Sequence, residues 1–352
     1  MFPRIPGRTS GRAHATPPPD VRITSSCSTR SPAIATRPLG VILTGGRGTR
    51  LQPLTPAIPK ALIPLLNRPL IAYSLDLLAS AGIDEIVIVV GGDHEGVAEA
   101  ARKLAPPGVT VSVAEQAAPL GIGDAVTSVG AALDGRSVVV LAVDTHVSGE
   151  IRSAVDAFDA AAADAGLILH PTDRPHEMGI ATLEGDRIVD LVEKPQEPRS
   201  DLAAVGIWML GPATVDRLRT NPFIRPSDGE TDLTGTIGEM VTEGADVRGW
   251  RLDGEWLDTG TLSSLLATQS HYLAANADPS PPLAKDTING PVLIGADVTI
   301  ENCEIGPNVV IGDHAVLRSA RLRDALVVAR ASIDGGEHAH VVVTASGEIG
   351  PA

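Results

Sequence analysis

An apolar run, Leu39 to Thr44, leads without a break into Gly45-Gly46-Arg47-Gly48-Thr49-Arg50-Leu51, and no other stretch restricts the folds open to this chain so tightly. The run reads as a buried strand of a parallel sheet, apolar on both faces because helices cover both sides of such a sheet. Glycines at its end take Cβ atoms out of the turn, so backbone N–H groups can come close to an anion. Arg50 and Lys60 add a planar fork that grips phosphate oxygens in two places and a compact ammonium that reaches a third.

Two familiar phosphate loops do not fit. The Walker pattern needs Gly-Lys-Ser/Thr, and here Gly48 is followed by Thr49-Arg50; the dinucleotide fingerprint needs a third glycine where Leu51 stands.

At 352 residues the chain can bury a large core and accommodate two domains. Its formal charge of −15 argues against nucleic acid or an anionic membrane as partner, because both would be repelled. An anionic substrate must then be held by local positive charge, which gives weight to Arg47, Arg50 and Lys60. Two cysteines, Cys27 and Cys303, cannot make a disulfide framework, and no apolar run approaches the roughly 18 residues of a membrane span. These features point to a reducing, cytoplasmic setting. Residues 1–38, rich in Arg, Pro, Ser and Thr and almost free of acid, read as a disordered N-terminal extension.

From Leu39 to about Gly135 short apolar runs alternate with helical periods. Strands are expected at Leu39–Thr44, Glu85–Val90, Val109–Val113 and Ser137–Val143, with helices at Leu70–Ala81, His94–Leu104 and Ile122–Leu133. Alternation of this kind means βαβ units, a parallel sheet and ligands at the carboxyl ends of its strands. A helix over about Glu150–Ala165 follows. Short runs at Leu167–His170, Gly179–Leu183, Arg187–Val192 and Ala203–Leu210 should then form an antiparallel or mixed sheet. Helices are expected from Thr231 or Asp232 to Thr242 and over Leu262–Ala274. Beyond them Ile288, Ile294 and Ile300 are six apart, as are Ile305 and Ile311, a repeat that marks the stacked coils of a parallel β-helix. His338 and His340 are spaced so that they could bind a metal or simply form a polar end.

The glycine stretch, continued by Pro53-Leu54-Thr55 and Pro59-Lys60, resembles the opening motif of the sugar-1-phosphate nucleotidylyltransferases, Gly-Gly-x-Gly-Thr-Arg-Leu-x-Pro-Leu-Thr then Pro-Lys. Glu193-Lys194-Pro195 and Trp256-Leu257-Asp258-Thr259-Gly260-Thr261 are similar to two further family segments. Together with the C-terminal repeat, these make the chain most like the long form of glucose-1-phosphate thymidylyltransferase.

The resemblance implies an α/β fold: a Rossmann-like, mostly parallel nucleotidyltransferase domain at residues 39–276, then a short left-handed parallel β-helix of hexapeptide repeats at 285–345. It implies dTTP and glucose 1-phosphate as substrates, Mg²⁺ as cofactor and a homo-oligomer. Leu43, Gly45, Gly46, Gly48, Thr49, Gln116 and Gly121 would bind the nucleotide, with the Gln116 amide reading the base. Arg50, Lys60 and Lys194 would be catalytic; Gly179, Glu193 and Val205 would bind the sugar; Asp144 and Asp258 would hold the metal. Read without the family, Gln116 is an ordinary loop glutamine, Asp144 or Asp258 a helix cap, and Glu193-Lys194 a solvated turn. At Ala142-Val143-Asp144-Thr145 the chain departs from the family's Leu-Gly-Asp-Asn. UTP in place of dTTP, or a binding protein that has lost turnover, are the alternative readings.

Overall fold

A computed structural model of the chain describes residues 37–45, 49–55, 58–92, 95–275 and 287–350. The expected extension lies outside these apart from Arg37 and Pro38, as do Gly46, Arg47 and Gly48 of the glycine stretch, and nothing of the Thr49 side chain is described. The described residues form one compact unit.

Four strands build the parallel part: β1 (Leu39–Leu43), β2 (Glu85–Val90), β3 (Thr110–Glu115) and β4 (Val138–Ala142). Every residue of β1 is buried, as a strand covered on both faces requires. The intervening helices are α1 (Leu70–Ser80), α2 (Glu95–Leu104) and α3 (Ile122–Thr127). Pro69 precedes α1, where its missing N–H would have no intrahelical partner, and Leu70, Ile71, Leu75 and Leu78 form the face that α1 buries. The helix expected over Ile122–Leu133 is interrupted: α3 stops at Thr127, and Gly130, with φ +73°, begins a separate short 3₁₀ turn.

The second half contributes β5 (Thr145–Val147), α4 (Arg152–Ala161), β6 (Ala165–Pro171), β7 (Gly179–Glu184), β8 (Arg187–Glu193) and β9 (Leu202–Leu210). After these come α5 (Pro212–Thr220), α6 (Leu233–Thr242), β10 (Val247–Arg251), β11 (Trp256–Asp258) and α7 (Leu262–Ala275). The main sheet runs β3-β2-β1-β4-β9-β6-β10-β8-β7, and β7 also pairs with β9, so the far end of the sheet curls into a closed ring. β1 is parallel to β2 and β4, whereas β9 is antiparallel to β4. The expected parallel-then-mixed arrangement is therefore present, with α4 ending earlier, at Ala161, because Ala165 already belongs to β6.

The C-terminal segment is a stack of short parallel strands. Thr287 pairs with Glu304, Glu304 with Arg321 and Arg321 with Glu337, steps of 17, 17 and 16 residues. A coil of this length falls short of three six-residue sides, which is why the isoleucine spacing breaks between Ile300 and Ile305. One face of the stack does not look outward: Val310, Leu326 and Val342 are fully buried in the same apolar core as Leu70, Leu75, Leu265 and Leu266 of α1 and α7. Gln269 of α7, 1% exposed, donates to the Ala325 carbonyl at 3.0 Å across this junction. Among the described residues no helix is long and apolar enough to cross a membrane.

Candidate active site

In an open α/β sheet the ligand crevice forms where the strand order reverses, outside the carboxyl ends of the strands. Here that point lies between β1 and β4, whose last residues, Leu43 and Ala142, are direct partners. The glycine stretch leaves β1 and Asp144 follows β4, so topology alone places them side by side. The Val143 N–H donates to the Leu43 carbonyl at 3.1 Å, continuing the ladder past both strand ends.

Asp144 is met by Lys60, whose Nζ lies 2.5 Å from Asp144 Oδ2 with both side chains mostly buried. Burial alone would raise the Asp144 carboxyl, but the Lys60 ammonium, and behind it Arg50, hold it below the ordinary carboxylate value. The carboxylate is therefore charged at neutral pH in a partly dry position.

Asp258 reaches the same place by a separate device. β5 and β11 form a two-stranded antiparallel ribbon in which Asp258 lies opposite Thr145. Thr259 then donates its backbone N–H to the Asp144 carbonyl at 3.2 Å and its hydroxyl at 3.1 Å. Asp258 Oδ1 accepts from the Gly260 N–H at 3.1 Å. A Cβ on Gly260 would lie 3.0 Å from Asp258 Oδ1 and 3.4 Å from an Arg50 guanidinium nitrogen, so Arg50 and Asp258 face the same spot. Two carboxylates and two cations thus meet at the switch point. An oxygen-donor pair of this kind suits a hard divalent cation, which takes one or two carboxylates and leaves positions for phosphate oxygens. Among the described residues no larger cluster of His, Cys, Asp and Glu suited to a metal occurs. His338, singled out in the sequence, is instead bonded to Glu348 and to the Gly335 carbonyl.

A second corner lies beyond β3. Gln116 Nε2 donates to the Gly121 carbonyl at 3.0 Å and to Asp124 at 2.9 Å, and a Cβ on Gly45 would lie 3.6 Å from Gln116 Oε1. The expected nucleotide residues Gly45, Gln116 and Gly121 are thus brought together, with Oε1 turned toward the glycine stretch. Gly121 has φ +103°, a conformation costly for any other residue, and an added Cβ would collide with the Thr231 backbone. Thr231 also stitches the loop in place: its N–H donates to the Leu120 carbonyl at 2.7 Å and its own carbonyl accepts from Gly123 at 3.0 Å. Leu120 and Ile122, on either side of Gly121, are 52% and 40% exposed.

The third group comprises Gly179, Glu193 and Lys194. Glu193 Oε2 lies 3.0 Å from the Cβ position of Gly179, and Lys194 Nζ is 3.8 Å from Glu193 Oε1. Burial pushes the Glu193 carboxyl up and the Asp232 charge adds to this, against the pull of Lys194 and Arg225. Val205 is buried, and its carbonyl accepts from the Thr145 hydroxyl at 2.8 Å.

The sequence reading passed over Asp124 and Arg225, and took Thr231 only as one of two candidate caps of α6; the cap is Asp232, whose Oδ1 accepts from the Gly235 N–H at 3.2 Å. Asp124 carries a usable signal, an acid in the first turn of a helix three residues past Gly121. Thr231 works through its backbone, which no side chain announces. The departures at Val143 and Thr145 are both buried: Val143, 1% exposed, belongs to the same core as Leu141 and Ile207, and Thr145 is 8% exposed.

Arg50, Lys60, Asp144 and Asp258 thus share the switch point with Gly45, a set of charges able to hold phosphate oxygens and a divalent cation. The nucleotidyl transferase family pattern matches residues 39–275, and the chain belongs to that family. It is 30% identical to the glucose-1-phosphate thymidylyltransferase of Streptomyces antibioticus, over 84% of this chain and 88% of that one. The enzyme of the same name from Streptomyces griseus is 29% identical over 88% of this chain and 94% of its own length. Among solved structures, a protein described as a putative glucose-1-phosphate thymidylyltransferase from Bacillus anthracis superposes with a TM-score of 0.60 at 27% identity, covering 69% of this chain and 98% of the other.

Proposed function

We propose that this protein transfers the nucleotidyl group of dTTP to glucose 1-phosphate, giving dTDP-glucose and pyrophosphate by direct in-line displacement. The observation that carries the reading is the ribbon that sets Asp258 beside Asp144 at the switch point, with Lys60 and Arg50 against them. The attacking sugar phosphate is already a nucleophile, so the reaction calls for positioning and charge neutralisation rather than a covalent intermediate. Asp144 and Asp258 would hold Mg²⁺, which when bound offsets negative charge on the reacting phosphates. Arg50 grips the triphosphate and the departing pyrophosphate. Lys60 moves between Asp144 and the phosphates at the reacting centre, and Lys194 meets the phosphate of the sugar. Glu193 accepts from sugar hydroxyls beside Gly179 and Val205.

Base choice rests on Gln116. With Nε2 engaged by Gly121 and Asp124, Oε1 is the atom left to accept from a pyrimidine N3–H. Uracil presents the same edge, and the exposed apolar flanks Leu120 and Ile122 favour the base with the extra methyl group. A methyl in such a pocket discriminates by about 1 to 3 kcal/mol. The domain division at 39–276 and 285–345, the left-handed winding of the C-terminal coils, a cytoplasmic homo-oligomer and the roles of Leu43, Gly46, Gly48 and Thr49 belong to the same proposal.

The test is pyrophosphate release with glucose 1-phosphate, Mg²⁺ and each of dTTP, UTP, GTP, CTP and ATP. Release with dTTP well above the rest supports the reading, preference for UTP changes the product while keeping the mechanism, and silence throughout favours a binding protein.

A further inference from the structure

We propose that Thr145 is a positioning residue whose hydroxyl ties the sugar-binding strand to the paired carboxylates, setting how far the sugar phosphate stands from the nucleotide. This deepens the transfer reading and rests on it.

The main chain of Thr145 belongs to the metal side of the site. It follows Asp144 directly and lies opposite Asp258 in the β5–β11 ribbon. Its side chain belongs to the other side. Only 8% of the residue is exposed, and Oγ1 donates to the Val205 carbonyl at 2.8 Å, so the hydroxyl is spent inside the protein and cannot reach a ligand.

The receiving carbonyl sits where the sheet has a gap. Along β9 the pairing with β6 shifts register between Ala204 and Trp208, and the pairing with β4 begins only at Ile207. Val205 and Gly206 therefore have no partner residue in either neighbouring strand. Irregularities of this kind re-aim a strand next to a site, and they leave main-chain groups to be satisfied by other means. The Thr145 hydroxyl satisfies the one on Val205.

Gly206 shows that the fit is close. It adopts φ +78°, and a Cβ there would lie 2.5 Å from Thr145 Oγ1. Turn, glycine and hydroxyl are thus fitted to one another, and all three occur at the point where Val205 would meet the sugar. Without the tie, the gap in β9 is free to relax away from β5. The nucleotide, held by the glycine stretch, Arg50 and the carboxylates, would keep its place while the sugar phosphate lost its alignment.

Thr145→Val keeps the shape and removes the donor; Thr145→Ser keeps the donor. In pyrophosphate-release assays with both substrates varied, Thr145→Val should raise the KM for glucose 1-phosphate about tenfold, leave the KM for dTTP within about twofold, and be rescued to within about twofold by Thr145→Ser. If Thr145→Val does not fold, as judged by thermal melting, Thr145→Ala carries the same expectation. An unchanged sugar KM, an equal rise in both KM values, or a serine variant as impaired as the valine one would overturn the tie while leaving the transfer reading intact. Wild-type protein silent with every nucleotide would overturn both.

Discussion

Thr259 gives both its backbone N–H, at 3.2 Å, and its hydroxyl, at 3.1 Å, to the carbonyl of Asp144, a residue 115 positions earlier in the chain. This pair of hydrogen bonds draws the two carboxylate-bearing strands into one site. It also explains why the whole stretch between them has to be folded before either acid can act: α4 through β10 occupy the intervening sequence and complete the ring of strands on which β5 and β11 rest.

Removing one acid should be enough to disable the site. Asp258→Asn is expected to lower kcat by at least about 100-fold, with melting close to that of the wild type because the amide oxygen of the new side chain can still accept from the Gly260 N–H. Asp144→Asn in the same background should add little, since the two residues would act as a unit. Turnover of Asp258→Asn near the wild-type rate would remove that residue from the mechanism. Chelation of divalent cations should abolish turnover, and added Mg²⁺ should restore it.

Lys60 also supports the fold. The Asp144 carboxyl is held below its ordinary value, so it stabilises the folded state above the unfolded pKa, and that contribution is lost only as the pH falls through the folded value. In Lys60→Met burial is no longer opposed by the ammonium and pushes the Asp144 pKa upward, so the charged form becomes a liability at neutral pH. Denaturant melts should show the variant destabilised by about 3 kcal/mol near pH 7. The deficit should be smaller at acidic pH, where Asp144 in the variant takes up a proton. A deficit of equal size at both pH values would contradict this.

Gly121→Ala should affect nucleotide binding more than sugar binding. The new Cβ meets the Thr231 N at 2.7 Å, and φ +103° with ψ 176° is a region essentially confined to glycine, so alanine there costs about 1 to 3 kcal/mol. The Gln116 corner should open, raising the KM for dTTP at least about tenfold while that for glucose 1-phosphate changes little. Equal effects on both substrates would place Gly121 away from the base.

Gln269 tests whether the C-terminal stack is a structural part of the catalytic unit. Its Nε2 also lies 3.4 Å from the Asn308 carbonyl, and the residue is almost fully buried. Gln269→Leu should cost about 1 to 3 kcal/mol in thermal or denaturant stability, because carbonyls across the junction lose their donor. KM values should not move. A variant as stable as the wild type would mean that the junction is held without Gln269, by the Val310, Leu326 and Val342 face and the Asn67 hydrogen bond to the Ile311 carbonyl.

The sheet was legible because its signals are local. Leu39–Leu43 and Ile86–Val90 are uncharged, largely apolar runs of strand length, too short for the usual helix. Asp144 and Asp258 were legible only through family resemblance, since each by itself reads as a turn or a cap. The ribbon joining them was not legible: Thr145–Val147 and Trp256–Asp258 are three residues each, too short for any period to register, and they are fixed by pairing with each other across the chain. The same holds for α5, whose nine residues begin at a proline and carry two arginines, and for the Thr231 backbone, which works without a side-chain signal. One flat side of the coils covers the chain's own α1 and α7, through Val310, Leu326 and Val342.

Nucleotidyl transfer is tested by product stoichiometry: purified protein with dTTP, glucose 1-phosphate and Mg²⁺, following pyrophosphate and nucleotide sugar together. The wild type should give one dTDP-glucose for each pyrophosphate, and Asp258→Asn neither product. Pyrophosphate released without nucleotide sugar, or no product from any pairing of nucleotide and sugar 1-phosphate, would contradict it.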